Sequence, residues 1–412
     1  MASKVLFLLA LGALAIASTH GQSSTALPFS YVDRRCGEDL SNLWLEVIAV
    51  VDNSKGMTNE GLTSVAANIA GLFSDGTTIG VRADNPRTTR VGVVTYNANA
   101  NVAADLNEFQ SIDDLYDGIF DILSKTSSSD ESYLVNGLAA AEQLFEDDKM
   151  ANRSHYQKVV IVYASTYKGT GNLDPVPVAN RLKSSGTIII TVAYDQDGDG
   201  ALLTDLAKIA TPYDNFSNTD VGGNLLGEVQ GALIQANCFC PNGWTQYRST
   251  FADVYSHRYG VCIQAVNLPS VWRAARLACR NRWPNSYLAN EYNADKHNYV
   301  LSIVQNTTGF LQPFTYHIGL GLSTGNWNWE QPNGKPLVPL QGYTAWNPGY
   351  PIASSSLTGV LNQQATSDIA VGWQNIDAMK TSANYICEVA SCDTDNYCAS
   401  VTNDNLSKAN KH

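Results

Sequence analysis

The chain is poor in charge, and poorest in positive charge: 26 Lys and Arg stand against 38 Asp and Glu, for a net charge of -12 over 412 residues. No Lys/Arg-rich stripe offsets that balance, so partners that are themselves polyanions, nucleic acid above all, are repelled. Long apolar runs are also scarce. After Ala17 no segment reaches the ~18 apolar residues that a membrane span needs. Catalytic signatures are missing too. The six histidines (His20, His155, His257, His297, His317 and His412) are scattered, and none belongs to an H-E-x-x-H pair. No nucleophile elbow set between a strand and a helix is expected, and no glycine loop of the phosphate-cradling kind. The sequence points away from an enzyme.

What is present begins with "MASKVLFLLALGALAIASTHGQSS". Lys4 precedes an apolar run from Val5 to Ala17, followed by small residues and a polar flank. Such a run is too short to cross a bilayer and reads as a secretory signal, cleaved between Ala17 and Gln22. Eight cysteines, an even number, follow it: Cys36, Cys238, Cys240, Cys262, Cys279, Cys387, Cys392 and Cys398. Behind a signal peptide that pattern predicts a full set of disulfides. Sequons at Asn152, Asn215, Asn306 and Asn405 are compatible with glycosylation.

Cysteine placement divides the chain, since none lies between Cys36 and Cys238. Within that interval buried strands alternate with helical patterns. "LWLEVIAVV" (43–51) is a continuous apolar run, as a strand covered on both faces requires. "TTRVGVVTY", "NVAADL", "KVVIVYAS" and "TIIITVAY" read as further strands. "GLTSVAANIAGLF", "SIDDLYDGIFDILSK", "YLVNGLAAAEQLFEDD", "PVPVANRLKSS", "LLTDLAKIA" and "NLLGEVQGALIQA" read as helices. Alternation of this kind predicts a doubly wound α/β sheet. From Cys238 onward Gly, Pro, Trp and Asn become frequent. "SVWRAARLACR" and "NADKHNYVLSIVQN" are helical; "YHIGLGL", "DIAVGW" and "NYICEV" are short strands. Between Leu322 and Ile369 little periodicity is visible, which in a compact domain implies a functional loop packed by its own side chains.

The first domain resembles the von Willebrand factor A fold, on "VIAVVDNSKGM" and on the order of its elements. The resemblance implies a Mg²⁺ site at the carboxyl end of the sheet, built from D-x-S-x-S, a hydroxyl from a second loop and a later Asp. Asp52 and Ser54 match, but Gly56 replaces the third position. The second-loop hydroxyl falls on Ser132, and Ser165 stands where the later Asp belongs. With one carboxylate where the family has two, only weak Mg²⁺ or Ca²⁺ binding is expected, because affinity for these ions follows ligand charge and count. A second acidic stretch, "DQDGDG", has Asp195, Asp197, Asp199 and Gly200 at the opening spacing of an EF-hand loop. Leu206 occupies the closing Glu position. A Gly/Asp-rich turn between strand and helix is the reading favoured here, with weak calcium binding the alternative.

The second domain looks like a C-type lectin-like α+β domain, on "CPNGW", "VWRAARLAC", "HIGLGL", "NWNW", "AWNPGYP" and "GWQNIDAMKTSANYICEV". That resemblance implies the disulfides Cys279–Cys387 and Cys240–Cys262. By elimination the other four cysteines pair as Cys36–Cys238 and Cys392–Cys398, a connectivity that sequence alone does not fix. The family's further disulfide is lost, with Val360 and Ala378 near its two positions. Sugar-binding members hold calcium through Glu-Pro-Asn or Gln-Pro-Asp in the long loop and Trp-Asn-Asp in a later strand. Here the tripeptides are Tyr350-Pro351-Ile352 and Trp373-Gln374-Asn375, so the anionic donors are gone. Calcium-dependent sugar chelation is not expected there. Trp346, Tyr350, Gln374 and Asn375 remain as candidate contact residues, with Trp346 and Tyr350 as an exposed aromatic patch at the loop tip. Trp327, Trp329 and Trp373 are expected in the core.

The expected organisation is a signal peptide (1–21), a linker (22–39), the A-like domain (40–236), the lectin-like domain (237–391) and a short tail (392–412). The combination resembles nematode extracellular proteins linked with recognition and innate defence. It implies a secreted, non-catalytic recognition or adhesion protein that takes an extracellular protein or glycan and needs no cofactor. The alternatives are a calcium-dependent lectin and a self-associating matrix protein.

Overall fold

The computed structural model describes residues 32–399 except 75, 149, 195–199, 220–222 and 366–369. The expected signal peptide, residues 22–31 of the linker, Asp195, Asp197, Asp199, Asn405 and residues 400–412 lie outside the described residues.

The first half runs β1 (Leu45–Asp52), α1 (Asn59–Leu72), β2 (Arg90–Tyr96), β3 (Ala100–Ala104), α2 (Ile112–Ile122), α3 (Leu134–Asp147), β4 (Gln157–Ala164), α4 (Val176–Ser184), β5 (Ile188–Ala193), α5 (Ala201–Leu206), β6 (Asn215–Ser217) and α6 (Leu225–Ala236). The strands form one sheet in the order β3-β2-β1-β4-β5-β6, parallel except for the β2–β3 pair. Every residue of β1 is buried, as its unbroken apolar run demands, because helices cover both faces of the sheet. Local chemistry sets the helix ends. At α2 the Ser111 hydroxyl accepts the Asp114 N–H, and Asp113 and Asp114 sit in the first turn, where the helix dipole favours negative charge. The chain leaves β1 toward β2 on one side, and β4 lies on the other. The carboxyl ends of β1 and β4 therefore flank the point where strand order reverses, the usual ligand position in such sheets.

The second half runs β7 (Thr245–Arg248), β8 (Arg258–Val271), α7 (Trp272–Arg280), β9 (Tyr287–Leu288), α8 (Ala294–Gln305), β10 (Thr315–Ser323), β11 (Asn326–Trp329), β12 (Val338–Pro339), β13 (Gly359–Gln364), β14 (Val371–Ile376) and β15 (Ser382–Ala390). Its main sheet has the order β12-β11-β10-β15-β8-β7, with β13 joining β10 to β14 and β9 on β15. The stretch without visible periodicity contains three of these strands, β11, β12 and β13. Its core gathers Trp329, Trp373, Tyr316 and Ile386. Four disulfides are formed, Cys36–Cys238, Cys240–Cys262, Cys279–Cys387 and Cys392–Cys398, the pairs named from the sequence. Val360 and Ala378, near which the family's further disulfide would fall, are buried apolar residues.

The first and last described segments meet between the two halves. Arg35 bridges to Tyr259 of β8, and Lys296 of α8 contacts Asp33 at 3.0 Å. From the other terminus, Arg34 Nη2 donates to Asp393 Oδ1 at 2.8 Å, and the Asp393 carbonyl accepts the indole N–H of Trp44 at 3.0 Å. Trp44, Tyr156, Phe239 and Tyr397 close a small aromatic core around that junction. The segment read as a linker and the segment read as a tail thus both carry inter-domain packing.

Candidate functional site

At the carboxyl ends of β1 and β4, Asp52 is fully buried and its carboxylate is already satisfied. Oδ1 accepts the Ser54 N–H at 2.9 Å. Oδ2 accepts the Ser165 hydroxyl at 2.6 Å and the Ser165 N–H at 3.3 Å. Ser132, also buried, lies beside the Tyr96 hydroxyl, and burial together with the Asp52 carboxylate pushes that phenol's pKa far up. The four residues singled out in the sequence therefore do converge at this end of the sheet. A Cβ at Gly56 would stand 3.3 Å from Ser165 Oγ and 3.6 Å from Ser54 Oγ, so a third serine there would crowd them.

This donor set was tested against Mg²⁺. The ion requires octahedral oxygen ligands and sheds water reluctantly, so a protein site must offer negative charge. One carboxylate is present, and three N–H and O–H donors point at it. Ser165 directs a proton where a second Asp would direct a lone pair. The residues do not fit a resident Mg²⁺. Among the described residues no group of three or more His, Cys, Asp or Glu is placed to hold a metal ion.

The lectin-like loop shows the same substitution of hydrogen bonds for charge. Asn375, in β14 and 2% exposed, receives the Ile352 N–H on Oδ1 at 2.8 Å. Its Nδ2 donates to the Ile352 carbonyl at 2.8 Å and to the Leu357 carbonyl at 3.4 Å. A neutral amide, both donor and acceptor, thus clamps the loop to the sheet. An acceptor-only carboxylate could not make the same pair of bonds. Gln374 is half-buried opposite Leu361 in the β13–β14 ladder. The expected exposed patch takes a different form. Trp346 bridges to Trp373 and packs at 5.2 Å from Trp327 and 5.5 Å from Trp373, and it is half-buried with Tyr350. Trp346 belongs to the rim of the core because Trp327 packs on it at a tilt and Trp373 meets it edge-on. Trp329 and Trp373 are buried, as expected, while Trp327 is half-buried.

Beneath that loop lies a polar cluster that leaves no signal in the sequence. Glu291 is fully buried. Its Oε1 accepts Asn362 Nδ2 at 2.9 Å and its Oε2 accepts the Trp373 indole N–H at 2.7 Å. His297 Nδ1 lies 2.7 Å from Glu291 Oε2, and its Nε2 lies 3.1 Å from the Val371 carbonyl. Both partners are acceptors, so both ring nitrogens must donate, and the ring is an imidazolium. Burial alone would depress its pKa, but the Glu291 carboxylate outweighs burial and the net shift is upward. A raised folded-state pKa means stability present below the unfolded value of about 6.5 and lost as pH rises through the folded one. Melting temperature is therefore expected to fall with rising pH across that window, and His297→Gln should flatten the slope. Asp214, pushed up to about 7 by burial, contributes a slope of the same sign that begins at lower pH, so the comparison is made in an Asp214→Asn background. An unchanged slope in the His297 variant would refute the assignment.

The remaining predicted residues are dispersed. Asn152 and Asn306 are exposed, as glycan attachment requires, whereas Asn215 is half-buried in β6 and its Nδ2 donates to the Leu203 carbonyl at 2.8 Å. His317 is buried, and burial lowers its pKa to about 4, so it is a neutral core residue. One G-x-S-x-G spelling does occur, Gly321–Gly325. It forms the β10–β11 hairpin, with Thr324 and Gly325 at φ 51° and 81°, and not a strand-to-helix elbow.

Comparison with known proteins agrees with this architecture. Residues 46–231 match the model of the von Willebrand factor type A domain. A curated relative, C-type lectin domain-containing protein 160 of Caenorhabditis elegans, is 27% identical over 400 residues. That match covers 91% of this chain and 58% of the relative, so the chain spans well under two thirds of the relative's length. Among solved structures, proximal thread matrix protein 1 of the mussel byssus, with a zinc-occupied MIDAS motif, is 23% identical over 48% of this chain and 47% of its own, with a TM-score of 0.38. The C-type lectin CEL-I of Cucumaria echinata is 20% identical over 36% of this chain and 96% of its own, with a TM-score of 0.28. The four disulfides fit an extracellular protein, and no helix among the described residues is long and apolar enough to cross a membrane. The chain joins a von Willebrand factor A-like α/β domain to a C-type lectin-like α+β domain.

Proposed function

We propose that this is a secreted, non-catalytic recognition protein that binds an extracellular protein or glycan without a divalent cation at either place where such domains seat one. The observation that carries the reading is the Asn375 amide, which holds Ile352 and Leu357 by direct hydrogen bonds where a sugar-binding loop would depend on calcium. The Ser165–Asp52 hydrogen bond supports it independently at the other end of the chain. On this reading the domains divide near residues 236–237, and both bodies contribute binding surface.

Thermal unfolding with excess Ca²⁺, excess Mg²⁺ and chelator tests it. An ion at 100 times its Kd stabilises a fold by about 2.7 kcal/mol, which displaces the midpoint visibly. Coincident curves are expected. A calcium shift abolished by Asn375→Leu would restore the ordinary lectin mechanism. A shift abolished instead by Asp197→Asn would place the ion at the acidic stretch 195–200.

A further inference from the structure

A cleft of about 500 Å³ opens between the two domains, within the size range of small-ligand sites, which favour domain junctions. One wall is the Thr211–Asp214 turn with the end of α6; the other is the loop between β7 and β8, from Ser249 to Arg258. The cleft is held rigidly. Arg258 Nη1 donates to the Gln235 and Cys238 carbonyls at 3.0 Å each, and Gln235 Oε1 accepts the Arg258 N–H at 2.9 Å. Cys238 is in turn bonded to Cys36. A site already fixed in shape loses less conformational freedom when a ligand enters.

Two features of this cleft go beyond the hydrogen bonds that fix its shape. The first is Tyr213. It follows Pro212 in a turn closed by the Asp214 N–H on the Thr211 carbonyl at 3.0 Å, and its φ is 75°. Glycine or asparagine is favoured at such a position, and a bulky residue there is strained. Its ring is nevertheless 72% exposed, and its hydroxyl donates across the cleft to Asp253 Oδ2 at 2.7 Å. Tyr255 is exposed on the facing lip. The second feature is at the base. Asp214 and Arg258 line the same cleft and sense each other's charge without joining in an ion pair, and burial outweighs Arg258 in raising the Asp214 carboxyl. Strain retained beside an exposed ring and an unjoined acid–base pair points to a ligand rather than to packing.

We propose that this cleft binds a neutral saccharide unit, with the apolar face of its ring on Tyr213 and Tyr255 and its hydroxyls bridging Asp214 and Arg258. A hydroxyl pair can donate to the carboxyl and accept from the guanidinium at once. A ligand of either charge would satisfy one of the two and oppose the other. Aromatic rings supply apolar contact area with little conformational freedom to lose. The inference rests on the metal-independent reading above and moves the ligand from the lectin loop to the junction of the domains.

The test titrates the full-length protein in EDTA, by calorimetry, with trisaccharides of N-acetylglucosamine, mannose, galactose and glucose. At least one is expected to bind. Tyr213→Gly should weaken it at least tenfold while the melting temperature holds, because glycine takes the turn's φ without strain. Asp214→Leu should weaken it similarly, and Met379→Ala, at an exposed residue outside the cleft, should leave it unchanged. No binding by any of the four, or binding that survives both cleft substitutions, overturns the cleft site. Binding seen in calcium but not in EDTA, and lost in Asn375→Ala, overturns the metal-independent reading instead.

Discussion

Replacing Lys296 with alanine is expected to lower stability by about 3–5 kcal/mol, the usual cost of removing one partner from a buried charge cluster. Lys296 is fully buried, with its Nζ 2.8 Å from Glu388 Oε2, 3.0 Å from Asp33 Oδ1 and 2.6 Å from Asn290 Oδ1. Burial opposes the ammonium, but the Glu388 and Asp33 carboxylates outweigh it and hold its pKa above the ordinary lysine value. Glu388 also accepts the Tyr287 hydroxyl at 2.8 Å, and Asp33 accepts Asn293 Nδ2 at 2.8 Å. Without the ammonium, two carboxylates remain in the interior with only neutral donors. Asp33 lies ahead of the A-like domain and Lys296 within the lectin-like one, so the loss falls on the contact between the segment before the first domain and α8 of the second. Urea unfolding of the variant measures it. Adding Asp33→Asn and Glu388→Gln to Lys296→Met should recover most of the loss, since neutral residues need no counterion. A midpoint unchanged in Lys296→Ala would show that the cluster bears no such charge.

Which parts of this architecture the sequence disclosed follows from how local their causes are. β1, β4 and β5 were legible as unbroken apolar runs because a strand covered on both faces has no polar position to dilute the signal. β8 was not, although it is the longest strand. "RYGVCIQAVNLPSV" contains Gly260 and Pro269, and its last five residues, 267–271, are exposed or half-buried, so it carries no continuous period. β13 was hidden for another reason. Asn362 and Gln364 are polar yet buried, because Glu291 and the Phe314 N–H supply their partners. Those partners lie 71 and 50 residues away in sequence. The His297 imidazolium is hidden for a mixed reason: Glu291 lies only six residues before it, but the Val371 carbonyl lies 74 residues away, and only folding aims both at the ring. Asp52, Ser54 and Ser165 could be located because each stands at or just past the end of a recognisable strand, whereas Ser132 lies in the loop between α2 and α3. Trp346 reads as an exposed loop-tip residue because sequence marks the turn without showing that Trp327 and Trp373 pack against it, tilted and edge-on. The Tyr213 cleft left no mark beyond a Pro-Tyr-Asp turn.

Ser165→Asp is expected to convert the carboxyl end of the sheet from a hydrogen-bonded site into a cation-dependent one. At present the Ser165 hydroxyl donates to Asp52 Oδ2 at 2.6 Å, so a carboxylate placed there would face Asp52 across a few ångströms. Two like charges about 4 Å apart repel by about 4 kcal/mol at an effective dielectric near 20. Solvent reaches half-buried Ser165, so a loss of about 2–3 kcal/mol in EDTA is the reasonable magnitude. The new pair, with the Ser54 and Ser132 hydroxyls, supplies the second anion that a Mg²⁺ site needs. Added Mg²⁺ should then raise the midpoint of the variant, regaining about 2.7 kcal/mol at 100 times its Kd, and leave the wild type unmoved. The contrast separates two explanations of the native sequence. If serine serves as a stand-in for the ion, the variant becomes unstable without metal and recovers with it. If the end of the sheet is merely a tolerant turn, the variant unfolds at the wild-type midpoint in both buffers, and the hydrogen bond between Ser165 and Asp52 holds nothing that matters to the fold.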